Sequence, residues 1–232
     1  MRLDKFLANS GVGTRSEVKR LIKEKRIKVN GEIIKSDSFN VDENKDKVFF
    51  DDQEVRYKEF YYILLNKPQG YVSAVLDNVY PPVTDLLPEY KFANLFPVGR
   101  LDVDTTGALL LTNDGDLAHK LISPKYHVSK VYEVEVDKKL DPKLVDSFKN
   151  GIDLDGELTL PADLVILNDK KAELTLYQGK FHQVKRMLKK FGYNVIGLDR
   201  KSFAFLSVNN IKIGEYRELT SEEEKRLKTF DW

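Results

Sequence analysis

Three aspartates, Asp102, Asp104 and Asp114, stand in the stretch GRLDVDTTGALLLTNDG, residues 99–115, on either side of the apolar run Ala108–Leu111. A carboxylate beside a buried strand costs free energy unless it is hydrogen-bonded, paired or put to use. The chemistry open to such a group is nucleophilic attack, proton transfer or cation binding. A second cluster lies in FHQVKRMLKKF, residues 181–191. Helical spacing predicts a helix over 181–191, with Phe181, Val184, Leu188 and Phe191 as its core stripe. Lys185 and Lys189 then lie one turn apart on another face, with His182 beside them. That face is either solvated or a cation aimed at a carboxylate or at phosphates.

The totals restrict what these residues can do. The chain has 232 residues, 41% hydrophobic and 32% charged, which suits a soluble globular protein of one or two domains. With no cysteine, disulfides, thiolate zinc sites and a cysteine nucleophile are excluded, and a reducing cytoplasm is expected. The three histidines, His119, His127 and His182, are not at metal-ligand spacing. The N-terminal MRLDKFLANS has no apolar signal core, and no stretch approaches a membrane span, so no membrane partner is expected.

Net charge is only +1, but it is unevenly spread. Residues 1–35 carry ten Lys and Arg against four Asp and Glu; residues 36–60 carry four against eight. The first segment is a basic unit. Leu3, Phe6 and Leu7 form a helical stripe ended by Gly11 and Gly13. Thr14-Arg-Ser-Glu17 is a capping box that opens a second helix, with Val18, Leu21 and Ile22 inward. Its outer face carries Arg15, Lys19, Arg20 and Lys23, followed by Arg26 and Lys28. Asn30-Gly31 marks a tight hairpin turn. So one-sided a cluster in a balanced chain points to nucleic acid; the alternative is a solvated helix face.

The remainder reads as α+β. Strands are predicted at 60–66, 107–112, 130–136, 164–167, 172–177 and 203–208. Along 130–136, Tyr132, Val134 and Val136 share one face. Helices are predicted at 116–122, from Asp141-Pro142 to Gly151, at 181–191, and in a last segment capped by Ser221 with Glu224. Strands outnumber helices and several neighbours can pair antiparallel, which favours a mixed, largely antiparallel sheet over a doubly wound one. The break between a small N-terminal domain and a larger one is placed at 57/58, giving domains 1–57 and 58–232.

Asp102-Val-Asp104-Thr-Thr also resembles the D-x-D-x-T signature of haloacid dehalogenase phosphatases. That signature needs its first aspartate at the tip of a long apolar strand. Here Pro97, Gly99 and Arg100 precede it. It also needs a later acidic pair for magnesium. Asp114-Gly-Asp116 reads instead as a turn into a helix.

A longer set of motifs resembles the RsuA-type bacterial ribosomal RNA pseudouridine synthases along nearly the whole chain. Met1–Ile34 is similar to their S4 (αL) RNA-binding module, and residues 99–107 to their catalytic motif. Asn113-Asp114-Gly115, Lys130-Val-Tyr-Glu-Val134, His182-Gln-Val-Lys-Arg-Met187 and Gly214-Glu-Tyr-Arg-Glu-Leu-Thr220 resemble the other motifs in order. Lys201-Ser-Phe-Ala departs from the usual pattern after Leu198-x-Arg200.

The resemblance implies a small N-terminal S4 domain followed by a pseudouridine synthase domain. It implies Asp102 as nucleophile in an isomerisation that breaks the N1–C1′ bond of a uridine and rejoins the base through C5, attacking either C6 or C1′. It places Lys185 beside the nucleophile as its counter-ion and Tyr132 under the uracil, the alternative for Tyr132 being a plain core aromatic. Arg100 would assist base flipping, His182 and Arg186 would touch RNA, and Leu198 would close the pocket. The role of Asp104 is left open, capping or bracing the loop being one reading. No redox change occurs, so no cofactor and no metal are expected. The expected partner is ribosomal RNA or the assembling small subunit, and the expected state is a monomer. His182-Gln-Val-Lys-Arg-Met187 is nearer the small-subunit type, so a single uridine of 16S ribosomal RNA is expected, uridine 516 in the family. The alternatives are a 23S site or, in another class, a non-catalytic S4-type RNA-binding protein.

Overall fold

The computed structural model describes residues 1–232. They form two compact units, Met1–Tyr61 with Leu87–Leu95, and Tyr62–Leu86 with Phe96–Trp232.

In the first unit, α1 (Leu3–Asn9) and α2 (Arg15–Lys23) pack on a four-stranded sheet of β1 (Ile27–Val29), β2 (Glu32–Ile33), β3 (Val48–Phe50) and β4 (Gln53–Val55), in the order β2-β1-β3-β4. The predicted stripes form its core: Leu3, Phe6, Leu7, Val18, Leu21 and Ile22 are all buried. The Thr14–Glu17 capping box is present. Asn30 and Gly31 both take positive φ, so Val29 pairs directly with Glu32. Residues 87–95 belong here through rings: Phe92 lies 5.4 Å from Tyr61, edge-on, and any Cβ on Gly11 would meet the Phe92 ring.

The second unit is built on one sheet. Its strands are β5 (Tyr62–Lys67), β6 (Phe96–Pro97), β7 (Thr106–Thr112), β8 (Lys130–Val136), β11 (Asp163–Ile166), β12 (Lys171–Leu176), β13 (Val195–Phe203), β14 (Leu206–Ser207) and β15 (Tyr216–Glu218); β9 (Asp153–Leu154) and β10 (Glu157–Leu158) form a separate hairpin. The order is β11-β12-β8-β13-β7-β5-β15, with β14 on β13 and β6 on β7. Only the β13–β7 pairing is parallel, so the sheet is mixed and largely antiparallel, as expected. The helices are α3 (Gly115–Ile122), α4 (Leu144–Lys149), α5 (Gln183–Lys190) and α6 (Ser221–Thr229). No helix is long and apolar enough to cross a membrane.

Several sequence expectations need correction. The long strand β13 was not predicted, because register shifts at Val195/Gly197 and Arg200/Ser202 break the two-residue alternation that reveals a strand. Asp141 and Pro142 form a turn, in which Asp141 accepts from the Lys143 amide, and α4 starts only at Leu144. The α6 cap is Thr220 with Glu223, one residue earlier than predicted. The helix expected over 181–191 begins at Gln183, after His182 at φ 47°. Its buried stripe is therefore Gln183, Val184, Met187 and Leu188, while Phe181 is 72% exposed and Phe191 lies at the C-cap.

Candidate active site

Asp102 lies in the loop between β6 and β7, and this loop is held by its own carbonyls. The buried Lys67, at the end of β5, donates to the carbonyl oxygens of Pro68, Asp102 and Thr105 at 3.0, 3.0 and 2.9 Å. The Gly70 amide donates to Val103, and the Gln69 side-chain amide to Asp104. Ser73 Oγ donates to the Leu101 carbonyl and accepts from its amide. The segment 67–73, which reads in sequence only as a strand end and a turn, thus clamps successive peptide groups of the aspartate loop. Burial pushes the Lys67 ammonium down to about 8, against the opposing pull of Asp104 and Asp102.

The sheet supplies the floor. Arg200 pairs with Tyr132 across β13 and β8, and with Gly107 across β13 and β7. A Cβ at Gly107 would fall on the Arg200 backbone, so glycine is required for the two strands to approach. Leu198 pairs with Val134, which places Leu198, Arg200, Lys130 and Tyr132 on one face of the sheet.

The segment entering α5 supplies the opposite wall. Lys185 Nζ lies 2.9 Å from Asp102 Oδ2 and 2.6 Å from Asp104 Oδ1, bridging both carboxylates. His182 Nε2 is 3.4 Å from Asp102 Oδ1, and its ring stacks on Phe181 at 3.8 Å. Burial opposes charge on Lys185, but hydrogen bonds to Asp104 and Asp102 more than offset it and hold the ammonium above its usual value. Burial likewise opposes charge on Asp104, yet Lys185 keeps that carboxyl below the usual range. Lys185 is therefore a cation shared between two carboxylates, both in the lining of a cavity of about 810 Å³ that is lined also by Arg100, Tyr132, His182 and Leu198.

Of the residues singled out in the sequence, Asp102, Lys185, Tyr132, Arg100, His182 and Leu198 meet at this cavity. Arg186 is not in its lining; its guanidinium binds Asp155 at 2.5 Å. Asp114 is a structural cap: it accepts from the Leu117 amide and from the Tyr62 hydroxyl. Asp104, whose role the sequence left open, holds the same cation as Asp102. Lys67, Lys130 and Arg200 were missed as site residues; their signal was a charge at a position that strand pairing buries.

In the first unit, Arg15, Lys19, Arg20, Lys23 and Arg26 are exposed and Lys28 is half-buried. Lys19 meets Asp37 at 3.3 Å and Arg20 meets Glu24 at 3.6 Å. Arg26 binds Asp51 in a fork and Lys28 binds Asp52 at 2.5 Å. Carboxylates after residue 36 thus meet three of the expected RNA contacts: Asp37 meets Lys19, and the β3–β4 turn meets Arg26 and Lys28.

Residues 61–190 match the family model of RNA pseudouridylate synthase, and residues 1–46 that of the S4 domain. The ribosomal small subunit pseudouridine synthase A of Haemophilus influenzae is 39% identical over 231 residues, which covers 98% of this chain and 99% of that protein. The ribosomal large subunit pseudouridine synthase B of Bacillus subtilis is 40% identical over 235 residues, 98% of this chain and 95% of that protein. A crystal structure of a pseudouridylate synthase superposes with a TM-score of 0.68 at 38% identity, over 98% of this chain and 99% of that one.

Proposed function

This chain belongs to the RNA pseudouridylate synthase family, with an S4 domain ahead of the synthase domain, and from that premise we propose that it converts one uridine of 16S ribosomal RNA, the one corresponding to uridine 516, to pseudouridine with Asp102 as nucleophile. The observation that carries the proposal is the Asp102 carboxylate at a cavity wall, 2.9 Å from Lys185 Nζ, with the buried Tyr132 in the same lining. Lys185 keeps Asp102 paired as water leaves the cavity. Tyr132 offers a ring face to the uracil. Exposed Arg100, beside the nucleophile, contacts the strand from which the target base has been turned out. Leu198 closes the apolar side. His182 orients Asp102 and meets the RNA backbone.

The reaction is an isomerisation. The N1–C1′ bond breaks with its electron pair staying on N1, the base turns, C5 bonds to C1′ and loses its proton to solvent, and N1 takes one up. The N-terminal basic face supplies electrostatic affinity for the RNA backbone. The 16S assignment rests on His182-Gln-Val-Lys-Arg-Met187, and a 23S site is the competing outcome of the same test. Purified protein is incubated with 16S and with 23S RNA labelled with tritium at C5 of uracil. Release of one equivalent from 16S RNA, mapped to one position, is expected; release from 23S alone reassigns the target, and release from neither overturns the proposal.

A further inference from the structure

The wall around Tyr132 holds positive charge that neither Asp102 nor Asp104 neutralises. Lys130 and Tyr132 alternate along β8, and Arg200 is the cross-strand partner of Tyr132, so all three project from one sheet face into the cavity lining. Lys130 is 6% exposed and Arg200 1%. Lys130 Nζ donates to the Val128 carbonyl at 3.0 Å, and Arg200 Nε to the Ala108 carbonyl at 2.6 Å. Arg200 Nη2 has no hydrogen-bond partner, nor has the side-chain amide nitrogen of Gln178 in the same lining. Both cations flank the Phe203 ring, at 5.6 and 5.3 Å from its centroid. Burial and then the neighbouring Arg200 push the Lys130 ammonium down to about 8. Two buried like charges, each with a single carbonyl partner, are costly to keep. They make sense where negative charge arrives.

The isomerisation generates such a charge. When N1–C1′ breaks heterolytically, the bonding pair stays on the uracil, whichever atom Asp102 attacks. On the direct route the detached ring is an anion spread over N1, O2 and O4; with Asp102 bonded to C6, which interrupts conjugation to O4, the charge is shared by N1 and O2. On the direct route, an Asp102 oxygen bonds C1′ as N1 leaves. After the turn C5 bonds C1′, Asp102 departs with its electron pair, the C5 proton goes to solvent, and N1 takes one up.

We propose that Lys130 and Arg200 are catalytic donors that hold the detached uracil anion by its carbonyl oxygens while it turns from N1 to C5. This rests on the isomerase reading above. With one donor each held by a backbone carbonyl, the ammonium keeps two and the guanidinium the Nη donors beyond Nε, and these can follow O2 and O4 through the rotation. Their depth, level with Tyr132 on the sheet face, fits a base; Arg100 at the exposed rim fits the phosphates.

The test compares wild type with Lys130→Met, Lys130→Arg and Arg200→Lys in single-turnover tritium release, RNA filter binding and thermal melting. Lys130→Met is expected to slow release by about 10²-fold, the usual cost of one preorganised donor to a developing anion, with RNA affinity unchanged. It should melt at or above the wild-type temperature, because it removes an unpaired buried charge. Lys130→Arg should recover most of the rate, and Arg200→Lys should slow release with unchanged affinity. Wild-type rates in Lys130→Met overturn the proposal. So does a loss seen only as weaker RNA binding, which marks a phosphate contact. A lowered melting temperature or failure to fold in Lys130→Met, with no rescue by Lys130→Arg, marks a structural lysine and overturns it as well. If wild-type protein releases no tritium from any ribosomal RNA, the isomerase reading itself falls, a result distinct from all of these.

Discussion

The helix face of Arg15, Lys19, Arg20 and Lys23 and the sheet wall of Lys67, Lys130 and Arg200 both concentrate positive charge, by different means. The helix face takes its residues from one short stretch, leaves them exposed, and lets carboxylates in the same unit meet some of them. The wall takes its residues from three strands far apart in sequence and buries each against backbone carbonyls. Exposed charge in water is cheap, adaptable and weak per residue. Buried charge is costly, fixed in direction and strong. The first arrangement suits holding a polyanion in many registers; the second suits acting on one bond.

This contrast predicts that variants at the two places fail in different observables, and the largest effect belongs to Asp102. Asp102→Asn keeps the shape and removes the charge that the proposed mechanism uses as nucleophile, so single-turnover tritium release should fall by about 10⁴-fold or more, the scale of losing an essential nucleophile. RNA affinity should stay near wild type, because phosphate contacts dominate binding. Full activity in Asp102→Asn would remove it from the mechanism. Lys185→Ala comes next. It leaves both aspartates without their cation, and a rate loss of about 10²–10³-fold is expected, with Lys185→Arg retaining a substantial part.

These two residues show how far the sequence was legible. Asp102 and Lys185 could be named from motif resemblance, and the partnership needed only their types. The role of Lys67 was not legible. Its neighbours Pro68-Gln-Gly70 announce a turn, but that the turn carries the hydrogen bonds of a loop more than thirty residues away emerges only when β5 pairs with β7. Lys130 and Arg200 were hidden for a related reason. Lys130 sits within the quoted motif Lys130-Val-Tyr-Glu-Val134, but a lysine at a strand end reads as solvated. Arg200 lies on the bulged strand that alternation could not reveal. The capping box at Thr14 and the Asn30-Gly31 turn, by contrast, were readable because each depends on contacts within a few residues.

A smaller effect should separate residues within the basic unit. Arg15 and Lys23 have no ion-pair partner, whereas Arg26 and Lys28 already hold Asp51 and Asp52. Arg15→Ala with Lys23→Ala should weaken RNA binding and flatten the log–log salt dependence by roughly 0.7–0.9 per lost phosphate contact. Arg26→Ala with Lys28→Ala frees two carboxylates, so its salt slope should change less. Filter binding across salt concentrations measures both. Equal slopes for the two double variants would show that the turn carboxylates release their partners when RNA arrives. Neither pair should alter the single-turnover rate at saturating protein.

The smallest effect is expected at Asp104, and it tests whether proximity or burial decides what a carboxylate does here. Asp104 is nearer to Lys185 than Asp102 is, 2.6 against 2.9 Å, but its side chain is 69% exposed against 26%. If distance ruled, Asp104→Asn would be as damaging as Asp102→Asn. Solvent screening and a neutral amide that still accepts from Lys185 both argue otherwise, so the loss should stay within about tenfold, the scale of a single exposed interaction of about 1 kcal/mol. The pH dependence follows from the sign of the shift. The folded-state pKa of Asp104 is depressed, so its charge, and whatever it contributes, is fully present above the ordinary carboxylate range and is lost only as pH falls through the lowered value. The ratio of wild-type to Asp104→Asn rates should therefore be flat through neutral pH and narrow only in acid. A ratio that changes between pH 6 and 8 would mean that Asp104 shares a proton with His182 or with the substrate, and that the exposed carboxylate takes part in the chemistry after all.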